Sequence, residues 1–268
     1  MTMLTESLIL LFLCDWISTE QTSLVYLKLV ESRSEDGLKV VKIDPHLTLN
    51  LEKSDILYDN LEVSDYENGK YVLRDIPSKI YSEHLRQDKT HLSSVMLYET
   101  AHGILMTGIL NSSHVIHPYP IVQRDSKISG VAHKISKAAS ASSSITKAGK
   151  DPFYKDAVPS SARAKVYQLE IAIVVDQWAQ KNIDKRARTT YEAYYLTAAN
   201  AVCLRLSLLR DPLILLKVVG VYTVPQDITN MIEKNKKVDV VKVKKKLDQS
   251  IQMSTRLQKI DIILYATG

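Results

Sequence analysis

The chain has 268 residues, 45% of them hydrophobic and 24% charged, a balance that excludes wholesale disorder and is enough for two ordinary domains. The net charge of +5 includes the run Lys244-Lys245-Lys246, which has no aromatic residues interleaved for base stacking, so a solvated helix face is expected there and no nucleic-acid partner. Cys14 and Cys203 are the only cysteines and define no disulfide framework.

Residues 7–14, SLILLFLC, have the length of a signal-peptide apolar core and are too short to cross a bilayer. A secretory signal over residues 1–23 is expected, cut among the small residues of 18–23, with the product secreted and extracellular. A buried N-terminal strand is the other reading, because MTMLTES carries no lysine or arginine. No later segment is long and apolar enough for a stable membrane span.

From 24 to 135 the chain alternates in short runs. VYLKLVES, LKVVKI, HLTLNLEK, SVMLYET and GILMTGIL have strand length and period, and YENGKYV sets Asn68-Gly69 where a tight hairpin turn needs positive φ. This half is expected to be β-rich. Asn111-Ser112-Ser113 is a sequon, which makes Asn111 a candidate glycosylation site if the chain enters the secretory route.

Residues 136–165 change composition to small, polar and basic residues with no apolar period to bury. They are expected to form a flexible connector, a domain boundary and the first place a protease cuts, although no Arg-x-x-Arg signal occurs in them.

Past the connector the period switches. LEIAIVVD reads as a buried strand, and a helix follows from a Thr189 or Thr190 cap with Tyr191, Tyr195, Ala198, Val202, Leu206 and Leu209 on one stripe. LILLKVVGV is a second strand, Asp239 caps a second helix, and IDIILYATG is a third strand. Strand, helix, strand, helix, strand at these lengths predicts a parallel sheet.

The sequence offers no catalytic constellation. The seven histidines all precede the connector, and the nearest thing to a cluster, His102, His114 and His117, lacks any fixed ligand spacing. There is no His-Glu-x-x-His, no Gly-x-Ser-x-Gly and no Gly-rich phosphate loop, and Cys203 among apolar neighbours reads as an inert thiol.

Taken in order, HGILMTGILNSSHVIHPYP and HKI resemble the end of a reprolysin propeptide, at Gly103, Leu105, Gly108, Ile116, Pro118 and residues 133–135. YQLEIAIVVDQWAQKN, NAVCLRLSLLRDPLILLKVVGV and IDIILYATG are similar to the first strand, the next helix and strand, and the third strand of the catalytic domain of the same adamalysin-type zinc metalloproteases, most closely those of tick saliva. The resemblance implies an α+β chain: a β-rich propeptide over 24–135, then the N-terminal, parallel α/β portion of a metzincin catalytic domain over 166–268. It implies a zinc-dependent metalloendopeptidase precursor, a hydrolase acting on proteins of the extracellular matrix or blood.

In that family the zinc-binding helix follows the strand matched by IDIILYATG. The resemblance therefore implies zinc ligands beyond Gly268, no catalytic or zinc residue in this chain, and a fragment that is inactive as it stands and leaves an open sheet edge beside residues 260–265. It also implies calcium at Glu170 and Asp261, two hard oxygen ligands from separate segments. The propeptide has no cysteine past the signal, so latency by thiolate ligation is not expected. A non-catalytic secreted binding protein on the same scaffold is the alternative function, and an unrelated α/β binding module a weaker third.

Overall fold

The computed structural model describes residues 8–13, 22–32, 37–67, 70–111, 113–119, 130–137, 166–186, 189–209, 212–224 and 259–267. The runs expected as strands in the first half all form, VYLKLVES as two, and three further short strands form beyond those expected. They are β2 (Ser23–Tyr26), β3 (Lys28–Ser32), β4 (Lys39–Lys42), β5 (Thr48–Lys53), β6 (Leu57–Glu67), β7 (Lys70–Pro77), β8 (Leu85–Asp88), β9 (Ser93–Thr100), β10 (Gly103–Leu110), β11 (His114–Pro118) and β12 (Ala132–Lys137), with a short helix, α1 (Lys79–Ser82), before β8. The β6–β7 register pairs Glu67 with Lys70, which leaves the two-residue connection expected of the hairpin.

Nine of these strands make one sheet in the order β2-β12-β11-β10-β9-β8-β5-β4-β3. Its two outer strands are consecutive in the chain, with Leu27 alone between them. That link draws the edges together, so the antiparallel sheet is a nearly closed barrel. Alternation along β10 turns Ile104, Met106 and Leu110 inward with Val41, Leu49, Leu51 and Val95 as the barrel core.

The second sheet crosses the connector. Its order is β1-β15-β13-β14-β6-β7, from β1 (Leu8–Leu13), β13 (Val166–Val175), β14 (Leu213–Thr223), β15 (Ile262–Thr267) and the β6–β7 hairpin of the first half. β13 pairs in parallel with both β14 and β15, and β14 pairs in parallel with β6. Because β13 is apolar on both faces, Ile171, Ile173 and Val175 enter one core while Ala172 and Val174 enter another. Fully burying each of the larger side chains contributes about 1.5–3 kcal/mol.

The expected class, α+β with a parallel α/β portion of a metzincin catalytic domain, is corrected by this architecture. Among the described residues strand accounts for 59% and helix for 17%, and the large antiparallel barrel-like sheet dominates a mostly β structure. The physical reason lies in long-range pairing: the β6–β7 hairpin adds to β14 and turns the parallel strands into part of a mixed sheet. The open edge expected beside residues 260–265 is also corrected for the uncleaved chain, in which β15 has β13 on one side and β1 on the other, Leu8 to Leu13 matching Ile262 to Thr267.

Two helices accompany this sheet. The unexpected one is α2 (Gln177–Arg186), started by Asp176, whose Oδ1 accepts from the Ala179 N–H at 2.6 Å. The other, α3 (Tyr191–Leu206), begins at the predicted Thr190 cap, whose hydroxyl accepts from the Ala193 N–H. The helix expected from Asp239 and the connector from residue 138 onward fall outside the described residues; residues 136 and 137 end β12.

A single stripe does not describe α3. Ala198, Val202 and Leu206 are half-buried, whereas Ala193, Leu196, Thr197, Asn200, Ala201 and Leu204 are buried. The helix packs on β14 on one side and on β8, β9 and β10 on the other, and a helix sandwiched between two sheets needs no polar face. The contact is sealed by a polar relay. Ser54 Oγ donates to Asn200 Oδ1 at 2.8 Å, Asn200 Nδ2 to Ser94 Oγ at 3.0 Å, and Ser94 Oγ to the Thr197 carbonyl at 2.8 Å. Ile56, Leu61, Leu85 and Met96 from the first half share one core with Ile171, Ile173, Val175, Tyr195 and Leu196 from the second.

Candidate functional site

One cleft gathers polar residues from both halves. On β6 four residues, 58 to 61, lie between partners Leu57 and Glu62, where β14 has Val219 alone between Val218 and Gly220. The surplus bulges outward and re-aims its side chains, as bulges do. Tyr58, Asp59 and Asn60 thereby line a cavity of ≈ 310 Å³ together with Glu170 and Val219.

Glu170 and Asp261 do come together. The register of Ile171 with Ile262 sets Glu170, midway along β13, beside Asp261, just before β15, and Asp261 Oδ2 accepts from the Glu170 N–H at 2.9 Å. The Tyr58 hydroxyl donates to Glu170 Oε1 at 2.6 Å, and Gln168 Nε2 donates to the same hydroxyl at 3.3 Å. Accepted by a carboxylate, the Tyr58 proton is held above the ordinary phenol range, with burial acting in the same direction and Gln168 in the opposite one. The Tyr58 hydroxyl thus keeps its proton and donates it in a hydrogen bond to Glu170.

Calcium needs six to eight oxygens. Glu170 and Asp261 provide carboxylates, with oxygens already engaged by Tyr58 and by the Glu170 amide, and among the described residues no group of three or more His, Cys, Asp or Glu could hold a metal ion. These two carboxylates alone offer fewer oxygens than a calcium shell takes.

The histidines do not fit zinc either. His102 lies in the β9–β10 turn, and His114 and His117 stand three apart on β11, so they face opposite sides of the sheet. His84 stacks on Tyr98, His91 holds Asp88, and His133 is sealed inside the barrel. Cys203, half-buried on α3, has its thiol pushed up by burial, which disfavours the reactive thiolate.

Asn111 lies in the turn between β10 and β11 with φ 48°. Its Oδ1 accepts from the Ser113 N–H at 2.9 Å and from the Ser113 hydroxyl at 3.0 Å. This turn closes the sequon on itself through the carbonyl oxygen and leaves the amide nitrogen, the atom that carries a glycan, outside those two bonds.

The sequence did not point to Tyr58, which meets Glu170 from 112 positions away. Its only local trace is the polar triplet Tyr-Asp-Asn interrupting an apolar strand pattern. No protein-family model matches the chain, and no curated protein matches it at a significant level. Among the described residues no helix is long and apolar enough to cross a membrane.

Proposed function

We propose that the protein is the precursor of a secreted zinc-dependent metalloendopeptidase, with residues 24–135 acting as a propeptide. The ordered resemblance to reprolysins supports the activity. The observation that carries the propeptide role is the shared core: Ile56, Leu61, Leu85 and Met96 complete the packing around Ile171, Ile173 and Leu196. A segment that supplies part of another's core acts as a template for its folding.

The reading needs a His-Glu-x-x-His helix, which this sequence does not contain, so no catalytic step is assigned to its residues. Extending the reading frame is the test. The expected result is that helix downstream and, in the extended secreted protein, stoichiometric zinc with chelator-sensitive casein hydrolysis; a reading frame without it sinks the enzyme.

The cleft of Tyr58, Asp59, Asn60 and Glu170 favours the second reading, a non-catalytic secreted binding protein. Stable secretion of a zinc-free, inactive 268-residue form would select it.

Either reading requires passage through the secretory route. Expressed in eukaryotic cells, the protein should lose the mass of one glycan on treatment with an N-glycosidase, and Asn111→Gln should abolish that shift. Secreted protein without glycan at Asn111 would refute the site, and retention inside the cell would refute secretion.

A further inference from the structure

His133 occupies an unusual place in the barrel. It is fully buried on the inward side of β12, the side of the core residue Ile135. The β10–β11 ladder runs from Leu110 opposite His114 to Gly108 opposite Ile116 and goes no further. Continued by two residues, it would set Met106 against Pro118, which has no N–H to donate. The Met106 N–H turns to His133 Nε2 at 3.0 Å, while His133 Nδ1 meets the Val131 carbonyl at 2.9 Å.

These partners define the protonation state. A carbonyl only accepts, so Nδ1 carries the hydrogen, and Nε2 must present its lone pair to Met106. One imidazole thus replaces a missing rung of the ladder, bridging β10 to β12 over the end of β11.

We propose that His133 is an acid-sensitive clasp, and that its protonation breaks the bond to Met106 and loosens β10, β11 and β12 where the β10–β11 ladder ends. A proton on Nε2 sets donor against donor at Met106 and places a charge where no water reaches. Among the described residues the elements packed around the ring offer no compensating anion: Val25 on β2 and Pro118 on β11 are its strand partners, Met106 on β10 meets its ring, Lys134 faces the other way, and Lys137 is exposed. His117 on β11 lowers its proton affinity further.

Burial is the largest cause of a proton affinity pushed from the ordinary 6.5 down to about 4. A depressed folded-state value means that the opened form takes the proton first. Stability is therefore whole above pH 6.5 and falls progressively as pH drops from there toward 4.

The test is amide hydrogen exchange of the full chain, corrected for intrinsic rate, between neutral pH and about 4. Met106 and the β12 amides should lose tenfold or more of their protection in the wild type, an estimate on the order of one pH unit of linkage. H133Q keeps an acceptor for Met106 and a donor for Val131 but cannot titrate, so it should hold its protection across the range. Equal loss in H133Q, or no loss in the wild type, overturns the proposal. If H133Q does not fold, the ring titration of His133 in the wild type decides. Protonation concurrent with the loss of Met106 protection supports the clasp; protonation in a closed barrel, or opening with a neutral ring, overturns it.

Discussion

Gly108→Ala should destabilise the protein by on the order of 3 kcal/mol, a large part of the stability of an ordinary domain. An added Cβ would stand 2.3 Å from the Ser94 carbonyl oxygen, 2.7 Å from Val95 Cα and 3.0 Å from Thr197 Cγ2. Two of these atoms are backbone of the neighbouring strand β9, which cannot swing aside as a side-chain tip can. The third belongs to α3, so the clash falls where helix and barrel approach most closely. A φ of +154° adds strain that glycine alone avoids. Gly130→Ala is the comparison: at φ +122° it carries the backbone strain, but nothing lies within 4 Å of its Cβ, and about 1 kcal/mol is expected. Urea unfolding of both variants checks the difference, and equal midpoints would show that the close approach at Gly108 is wrong.

Cutting the connector should not separate the halves, and Asn200→Ala should be what loosens them. Residues 136–165 are expected to be cleaved first in limited proteolysis, yet β6 remains hydrogen-bonded to β14 and α3 remains between the sheets. The two pieces should therefore co-elute in native buffer. Asn200 is completely buried and joins Ser54 of the first half to Ser94 through its own amide. Its loss strands the Ser54 hydroxyl and removes a donor from Ser94 while leaving a small void, for about 2–4 kcal/mol. In the cleaved protein that loss should appear as separation at a lower denaturant concentration, and in the intact chain as a lower unfolding midpoint. Pieces that part in native buffer as soon as the connector is cut would refute the shared core.

Local patterns carried much of the element content. β10 lies over GILMTGIL because its alternation is legible within eight residues, and α3 starts at Thr190 because a cap hydroxyl and the amide it serves are three positions apart. α2 escaped notice because QWAQKNIDKR is polar on average. Glu170 and Asp261 could be singled out as acids in apolar strand runs, but their actual partners, Tyr58 and the Glu170 amide, could not.

What the sequence determined by itself was therefore what near neighbours decide: where strands and helices begin, the absence of a His-Glu-x-x-His motif, and the buried character of the strand that became β13. Tertiary structure alone decided that the β6–β7 hairpin would join β14, that β1 would flank β15, and that α3 would be buried on both sides. It alone decided that His133 would reach Met106 across the end of β11. The physical reason is common to all four. Backbone pairing and side-chain burial depend on which distant segments close on one another, and an apolar run has the same composition whichever partner covers it.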